Sequence, residues 1–306
     1  MALDGVRPSF RLLPFSLSLR QRSRCFSRPP GGENLSQGDL AVHGRRLLSA
    51  LLLVPLFLLV VVYGGEAGFA LLVMGVAAIS LVEFTRLLDH LPGVLKVLAV
   101  TGAVVLLGAT SVGGVEWFAM GVVLFLLLQL SWIVGSGGDI GANLRWTALC
   151  LLGVLYVAGP LSFGVALRGM PGGEYYILLA CGIVWAGDTG AFYIGSSLGR
   201  HPLAPRISPQ KSVEGGVGGL VASIGVAWVL AKALGIPLTF VSSLLLGAVI
   251  GGAGQVGDLI ESVIKRAFQV KDTGGLIPGH GGMLDRIDSL LFAIPVFYLW
   301  VRAGWI

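Results

Sequence analysis

The stretch GHGGMLDRID, residues 279–288, sets His280, Asp285, Arg286 and Asp288 at the mouth of an apolar run. Asp285 and Asp288 are three residues apart, so a helix starting here carries both on one face. Carboxylates in a first turn also suit the helix dipole, which is the simpler reading. The chemical reading is that two acids on one face offer the hard oxygen ligands that magnesium takes. A third acid is available in GQVGDLIESVIKRAFQVKD, 254–272, where spacings of four and three put Asp258, Ser262 and Lys265 on one helical face. Lys265 is a ready structural partner for Asp258, so ion pair and functional site weigh about equally. Between the acids, TGGLIPGHGG is rich in glycine, which lets backbone N–H groups approach phosphate oxygens. Lys265, Arg266 and Lys271 add positive charge that phosphate would need. Cations, glycines and carboxylates in this order describe a metal–phosphate site.

A further polar stretch, VWAGDTGAFYIGSSLGRHPLAPRISPQKSVEGG (184–216), holds Asp188 late in an apolar run. Arg200, Arg206 and Lys211 follow, then Ser212 and Glu214 at the next helix start. GAGQVG, 252–257, has dinucleotide-loop spacing but lies inside an apolar run with no preceding strand, so it is assigned to close helix packing. Gly215 with Gly219, and Gly247 with Gly251, have the spacing that lets membrane helices touch, within a chain or across a homodimer. His43, His90 and His201 stand singly at loops or span edges and suit surface roles. Cys25, Cys150 and Cys181 lack metal-ligand spacing, and the last two lie in apolar runs where packing is their role.

The elements that must position these residues are membrane helices. Of 306 residues 55% are hydrophobic and only 12% charged, with a mean hydropathy of +0.87, which excludes an ordinary soluble domain. Apolar runs near 20 residues recur, each long enough to cross a hydrocarbon core of about 30 Å as a helix. We count about nine: 47–63, 67–86, 94–112, 115–134, 146–167, 175–195, 214–235, 238–263 and 284–302. The fold class is an all-α polytopic membrane protein. With the N-terminus inside, 18 of the 21 basic residues fall at inner loops or their edges, leaving Arg168, Lys232 and Arg302 outside. That bias predicts an inward N-terminus and an outward C-terminus. The net charge of +5 is therefore mostly topology. Three regions follow: a flexible basic tail over 1–46, N-terminal membrane helices over 47–183 and a catalytic membrane region over 184–306. The tail is rich in Arg, Ser and Pro, but Asp4, Glu33 and Asp39 weigh against an organelle transit peptide.

With those residues in view, SVIKRAFQVKDTGGLIPGHGGMLDRID, from Ser262 to Asp288, resembles the signature of phosphatidate cytidylyltransferases, also called CDP-diacylglycerol synthases. The match runs through Ser262, Lys265, Arg266, Lys271, Asp272, His280, Gly281, Gly282, Asp285, Arg286 and Asp288. DTGAFYIGSSLGRHPLAPRISPQKSVEG is similar to bacterial members, with Gln210 where lysine is common. Similarity of organisation covers about 46–302. The resemblance implies that CTP and phosphatidic acid give CDP-diacylglycerol and pyrophosphate, at the cytoplasmic side of the cell's inner membrane. It implies magnesium held by Asp258, Asp285 and Asp288, and phosphates bound by Lys265, Arg266 and Lys271. Ser262 and His280 would donate hydrogen bonds, and Asp272 and Arg286 belong to the same catalytic set. Asp188, Thr189, Ser208 and Lys211, with Gly281 and Gly282, would contribute to substrate binding. The partners implied are the two substrates and the lipid bilayer, without nucleic acid. A CTP-dependent polyprenol kinase is the competing enzyme reading, which the full Ser262–Asp288 match argues against. A transporter would also use many spans, but its acids would sit at mid-membrane. CDP-alcohol phosphotransferases use a longer multi-aspartate pattern than the one after Asp285.

Overall fold

A hydrocarbon environment leaves backbone N–H and C=O groups no partner but each other, and the apolar runs of this chain accordingly fold as helices. The structure, a computed structural model, describes residues 51, 54–88, 90–274 and 281–306. The expected tail and the first residues of the first span lie outside these. In chain order the helices are α1 (Val54–Tyr63), α2 (Gly65–Leu87), α3 (Gly93–Gly135), α4 (Ile140–Arg168), α5 (Gly173–Leu198), α6 (Val213–Ala233), α7 (Phe240–Ala267) and α8 (Leu284–Arg302). Six of them, α2 to α7, are long and apolar enough to cross a membrane, with mean hydropathies from 1.5 to 2.2. The protein is thus a polytopic membrane protein built almost wholly of helix. The runs 94–112 and 115–134, expected as separate spans, are the two arms of α3. Helical geometry fails at Gly113 and at Gly114, whose φ of 70° is left-handed and favours glycine. A Cβ on Gly121 would stand 2.5 Å from Leu106, and Gly102 abuts Phe125, so the arms fold back on one another.

Strand was not expected anywhere, yet β1 (Pro202–Ala204) and β2 (Ser208–Ser212) pair antiparallel between α5 and α6, with Pro202 opposite Ser212 and Ala204 opposite Ser208. Pro202, Pro205 and Pro209 remove backbone donors and block helix there, leaving extended chain. Ser212 then caps α6, its Oγ accepting from the Gly215 N–H at 3.1 Å. Glu214 closes the hairpin base, its Oε2 accepting from the backbone N–H of Arg200 at 3.0 Å and of His201 at 3.2 Å. His201, expected to stand alone, meets Glu214 Oε1 through its Nδ1 at 2.5 Å.

Helices α5 and α6 make the most extensive contact in the bundle. Glycine permits it: a Cβ on Gly219 would lie 2.7 Å from the Gly187 carbonyl oxygen, and one on Gly215 would lie 2.9 Å from that of Ala191. Gly247 and Gly251 bring α7 against Ser223 and Ala227 of α6 in the same way. Both small-residue pairs therefore serve packing within the chain. GAGQVG lies inside α7, as its apolar setting requires. A division at 183/184 falls inside α5, so the two membrane regions share a helix. They also share a core, since α8 packs on α4 and α2, and Phe84 of α2 meets Phe268, just beyond α7, edge to face.

Candidate active site

Four helix ends and the hairpin meet at one end of the bundle. They enclose a cavity of about 490 Å³, lined by Asp188 and Phe192 of α5, Ser208 and Lys211 of β2, Gln255 and Asp258 of α7, and Asp285, Asp288 and Ser289 of α8, among others. Residues read separately in the sequence as Asp188, Ser208, Lys211, Asp258, Asp285 and Asp288 thus face a common space. The close approach of α7 and α8 comes from Gly257, where a Cβ would lie 2.5 Å from the Asp288 carbonyl oxygen.

Two ammonium–carboxylate pairs organise the walls. Lys211 Nζ stands 2.6 Å from Asp258 Oδ1, so the partner of Asp258 is the hairpin lysine and not Lys265, the neighbour its helical spacing suggested. Lys265 instead bridges Glu261, one turn back on α7, and Asp285 Oδ1 at 2.8 Å. Glu261 is fully buried and Asp285 nearly so, with side-chain exposures of 0% and 9%. A buried charge persists only when paired and hydrogen-bonded, and Asp285 meets both conditions. Its Oδ2 accepts from the Gly282 N–H at 2.9 Å, the Thr273 N–H at 3.1 Å and the Thr273 hydroxyl at 2.9 Å. Asp285 and Asp288 are therefore not an exposed acidic helix start. Asp288 is buried, and its Oδ1 accepts from the Ser289 N–H at 2.6 Å.

The remaining predicted residues divide. Ser262 donates to the Asp258 carbonyl at 2.9 Å, which ties its hydroxyl to its own helix. Arg266 donates from Nε to the Ile207 carbonyl at 3.1 Å, fastening the hairpin turn to the end of α7. Thr189 donates to the Trp185 carbonyl at 2.7 Å and is not among the residues lining the cavity. Lys271, Asp272 and Arg286 are exposed. Gly281 adopts a left-handed φ of 77°, as a turn before α8 requires, and Gly282 supplies an N–H to Asp285. His280 lies outside the described residues.

The sequence reading passed over Glu83, Glu261 and Gln255. Glu83 sits on α2, wholly buried, and its Oε2 accepts from the Leu284 N–H at 3.0 Å. An ionisable group inside an apolar span carries its own signal, because its burial needs a reason. Glu261 was equally visible as the i,i+4 partner of Lys265. Gln255, whose amide donates to the Gly216 carbonyl at 2.9 Å, had no comparable mark.

Hard carboxylate oxygens on one cavity wall are the donor chemistry that a divalent cation accepts, so the residues fit magnesium. Among the described residues no three His, Cys, Asp or Glu side chains converge as a cage, and lysines pair with Asp258 and Asp285. Basic and acidic groups around one cavity, carried by apolar helices, suit the binding of phosphorylated ligands beside a membrane. The chain belongs to the cytidylyltransferase family, which matches residues 44–303. It is similar to the phosphatidate cytidylyltransferase of Bacillus subtilis, 31% identical over 83% of this chain and 96% of that protein. The same-named protein of Staphylococcus haemolyticus is 36% identical over 82% of this chain and 96% of its own length. That of Staphylococcus aureus strain COL reaches 42% over 56% of this chain and 66% of its own.

Proposed function

We infer that the protein transfers the cytidylyl group of CTP to phosphatidic acid, releasing pyrophosphate and forming CDP-diacylglycerol. The observation that carries this reading is the pair of Lys–Asp contacts bordering one cavity, in a chain similar over most of its length to phosphatidate cytidylyltransferases. A phosphate oxygen of the lipid attacks the α-phosphorus of CTP, and the bond from that phosphorus to the β-bridging oxygen breaks. The attacking phosphate is already anionic near neutral pH, so the site must neutralise and align two polyanions more than remove a proton. Lys211 and Lys265 bind phosphate oxygens. Each ammonium is held beside a carboxylate, and a phosphate that draws it away leaves that carboxylate oxygen for a cation. Asp258, Asp285 and Asp288 would hold magnesium, which would supply charge neutralisation at the phosphates. Arg266 keeps the hairpin, and with it Lys211, against α7.

The cavity end faces the cytoplasm in this reading. CTP comes from water and phosphatidic acid from the leaflet, and Arg200, Arg206, Lys211, Lys265, Arg266 and Lys271 gather at this end, as inner-side basic residues do. In a cell of the kind its bacterial relatives come from, the protein would sit in the cell membrane with the cavity open to the cytoplasm.

The test is full-length protein in detergent with CTP labelled at the α-phosphorus. Label enters a chloroform-soluble product only when phosphatidic acid and magnesium are both present, with pyrophosphate released in equal amount. Label confined to soluble CDP, with a polyprenol becoming phosphorylated, makes the chain a CTP-dependent kinase instead.

A further inference from the structure

Glu83 is a buried carboxylate from the N-terminal half of the chain that touches the catalytic segment and that the reaction above does not use. Its exposure is 0%, and it lies on α2, 201 residues before its hydrogen-bond donor, the Leu284 N–H. The first N–H groups of a helix have no intrahelical acceptor, and α8 receives no side-chain cap from Met283, its N-cap residue. Glu83 supplies that acceptor from another helix. Its other oxygen, Oε1, is buried without a hydrogen-bond partner among the described residues and lies against Gly274. A Cβ on Gly274 would stand 2.7 Å from Oε1, and one on Gly282 would stand 2.6 Å from Oε2. One carboxylate therefore contacts the chain on both sides of residues 275–280 and at the start of α8. The same positions organise Asp285, which accepts from Thr273 and Gly282.

We propose that Glu83 is a positioning residue of the active site: reaching across from α2, it caps α8 at Leu284 and holds Gly274 and Gly282 so that Asp285 is presented to Lys265 and to the substrates. This inference rests on the assignment of Asp285 to the cytidylyltransferase site. The position of the carboxylate, more than its charge, carries the role. Aspartate is one methylene too short to reach the Leu284 N–H, whereas glutamine keeps both the reach and an accepting oxygen.

The experiment compares full-length wild type, E83D and E83Q in detergent. It follows cytidylyl transfer against magnesium concentration, thermal unfolding, and hydrogen exchange of the backbone amides over residues 281–290. In E83D the Leu284 amide should exchange faster, turnover should fall by about tenfold or more, and half-saturating magnesium should rise several-fold, because small misplacements of catalytic groups are costly. E83Q should restore the Leu284 protection and most of the turnover. The proposal is overturned if E83D keeps wild-type exchange at Leu284 and wild-type magnesium dependence. It is also overturned if E83D merely unfolds at lower temperature with unchanged kinetics per folded molecule, or if E83Q fails as badly as E83D. Wild type that makes no lipid product would instead sink the functional assignment, and the exchange measurement would still report whether Glu83 holds α8.

Discussion

Lys265 and Lys211 each hold an aspartate at the cavity, but their surroundings differ enough to separate structural from chemical consequences. Lys265 lies between a fully buried Glu261 and a nearly buried Asp285, and its own side chain is 16% exposed. Removing one member of a buried pair leaves uncompensated charge and costs about 3–5 kcal/mol. Lys265→Met should therefore abolish cytidylyl transfer and also lower the unfolding temperature markedly in detergent. Lys211 and Asp258 are more open, at 27% and 36% exposure, although the Lys211 ammonium itself is buried, so breaking this pair should cost less than breaking the Lys265 pairs. Lys211→Met should lose turnover with a smaller fall in unfolding temperature than Lys265→Met. Equal loss of stability in both variants would show that the hairpin pair is as structural as the buried one. The sequence made both lysines and all three aspartates visible but paired them wrongly. Helical spacing proposes neighbours on one element, and Lys211 reaches Asp258 only because β2 folds over α7. Glu83 was legible as an anomaly in an apolar span, though nothing near it in sequence points to Leu284.

At the scale of elements, the sequence marked helices well because each run had to satisfy its backbone alone in lipid. The two arms of α3 were separable because Gly113–Gly114 interrupts them, and the 284–302 run is α8. The hairpin was not legible: three- and five-residue strands in a proline-rich loop show no alternating apolar face. The glycine pairs were legible as contact sites but not as to partner, which the structure gives as α5 for Gly215 and Gly219. That assignment predicts a severe effect from Gly219→Leu. Its side chain would meet the Gly187 carbonyl oxygen at 2.7 Å and Ala191 Cβ at 3.0 Å, where no flexible side-chain end can give way. Overpacking of this kind costs about 1–3 kcal/mol or more. Because α5 and α6 also carry the hairpin between them, cytidylyl transfer should fall with stability. Thermal unfolding of the detergent-solubilised variant measures the first and labelled CTP the second; unchanged values in both would remove the α5–α6 contact from the account of the site.

At the scale of the whole molecule, the proposed reaction requires the cavity to meet both water and the inner leaflet, and orientation is the property on which that depends. Basic residues cluster near the cavity, whereas the opposite end holds Arg168, which is drawn inward. Its Nε donates to the Val61 carbonyl at 3.2 Å and its guanidinium pairs with Glu174 at 3.3 Å. The expected arrangement has the hairpin inside and the C-terminus outside. Single cysteines placed in a Cys25→Ser background test it, since Cys150 and Cys181 are buried and should stay silent. A membrane-impermeant maleimide applied to intact cells should label Trp305→Cys, whose native side chain is 60% exposed beyond α8. Arg206→Cys, in the hairpin turn, should label only after the membrane is opened. Helices α6, α7 and α8 separate the two sites in the chain, so with α6 and α7 crossing, labelling of both in intact cells would mean that α8 does not cross. Labelling of Arg206→Cys alone would invert the protein and turn the cavity away from cytoplasmic CTP.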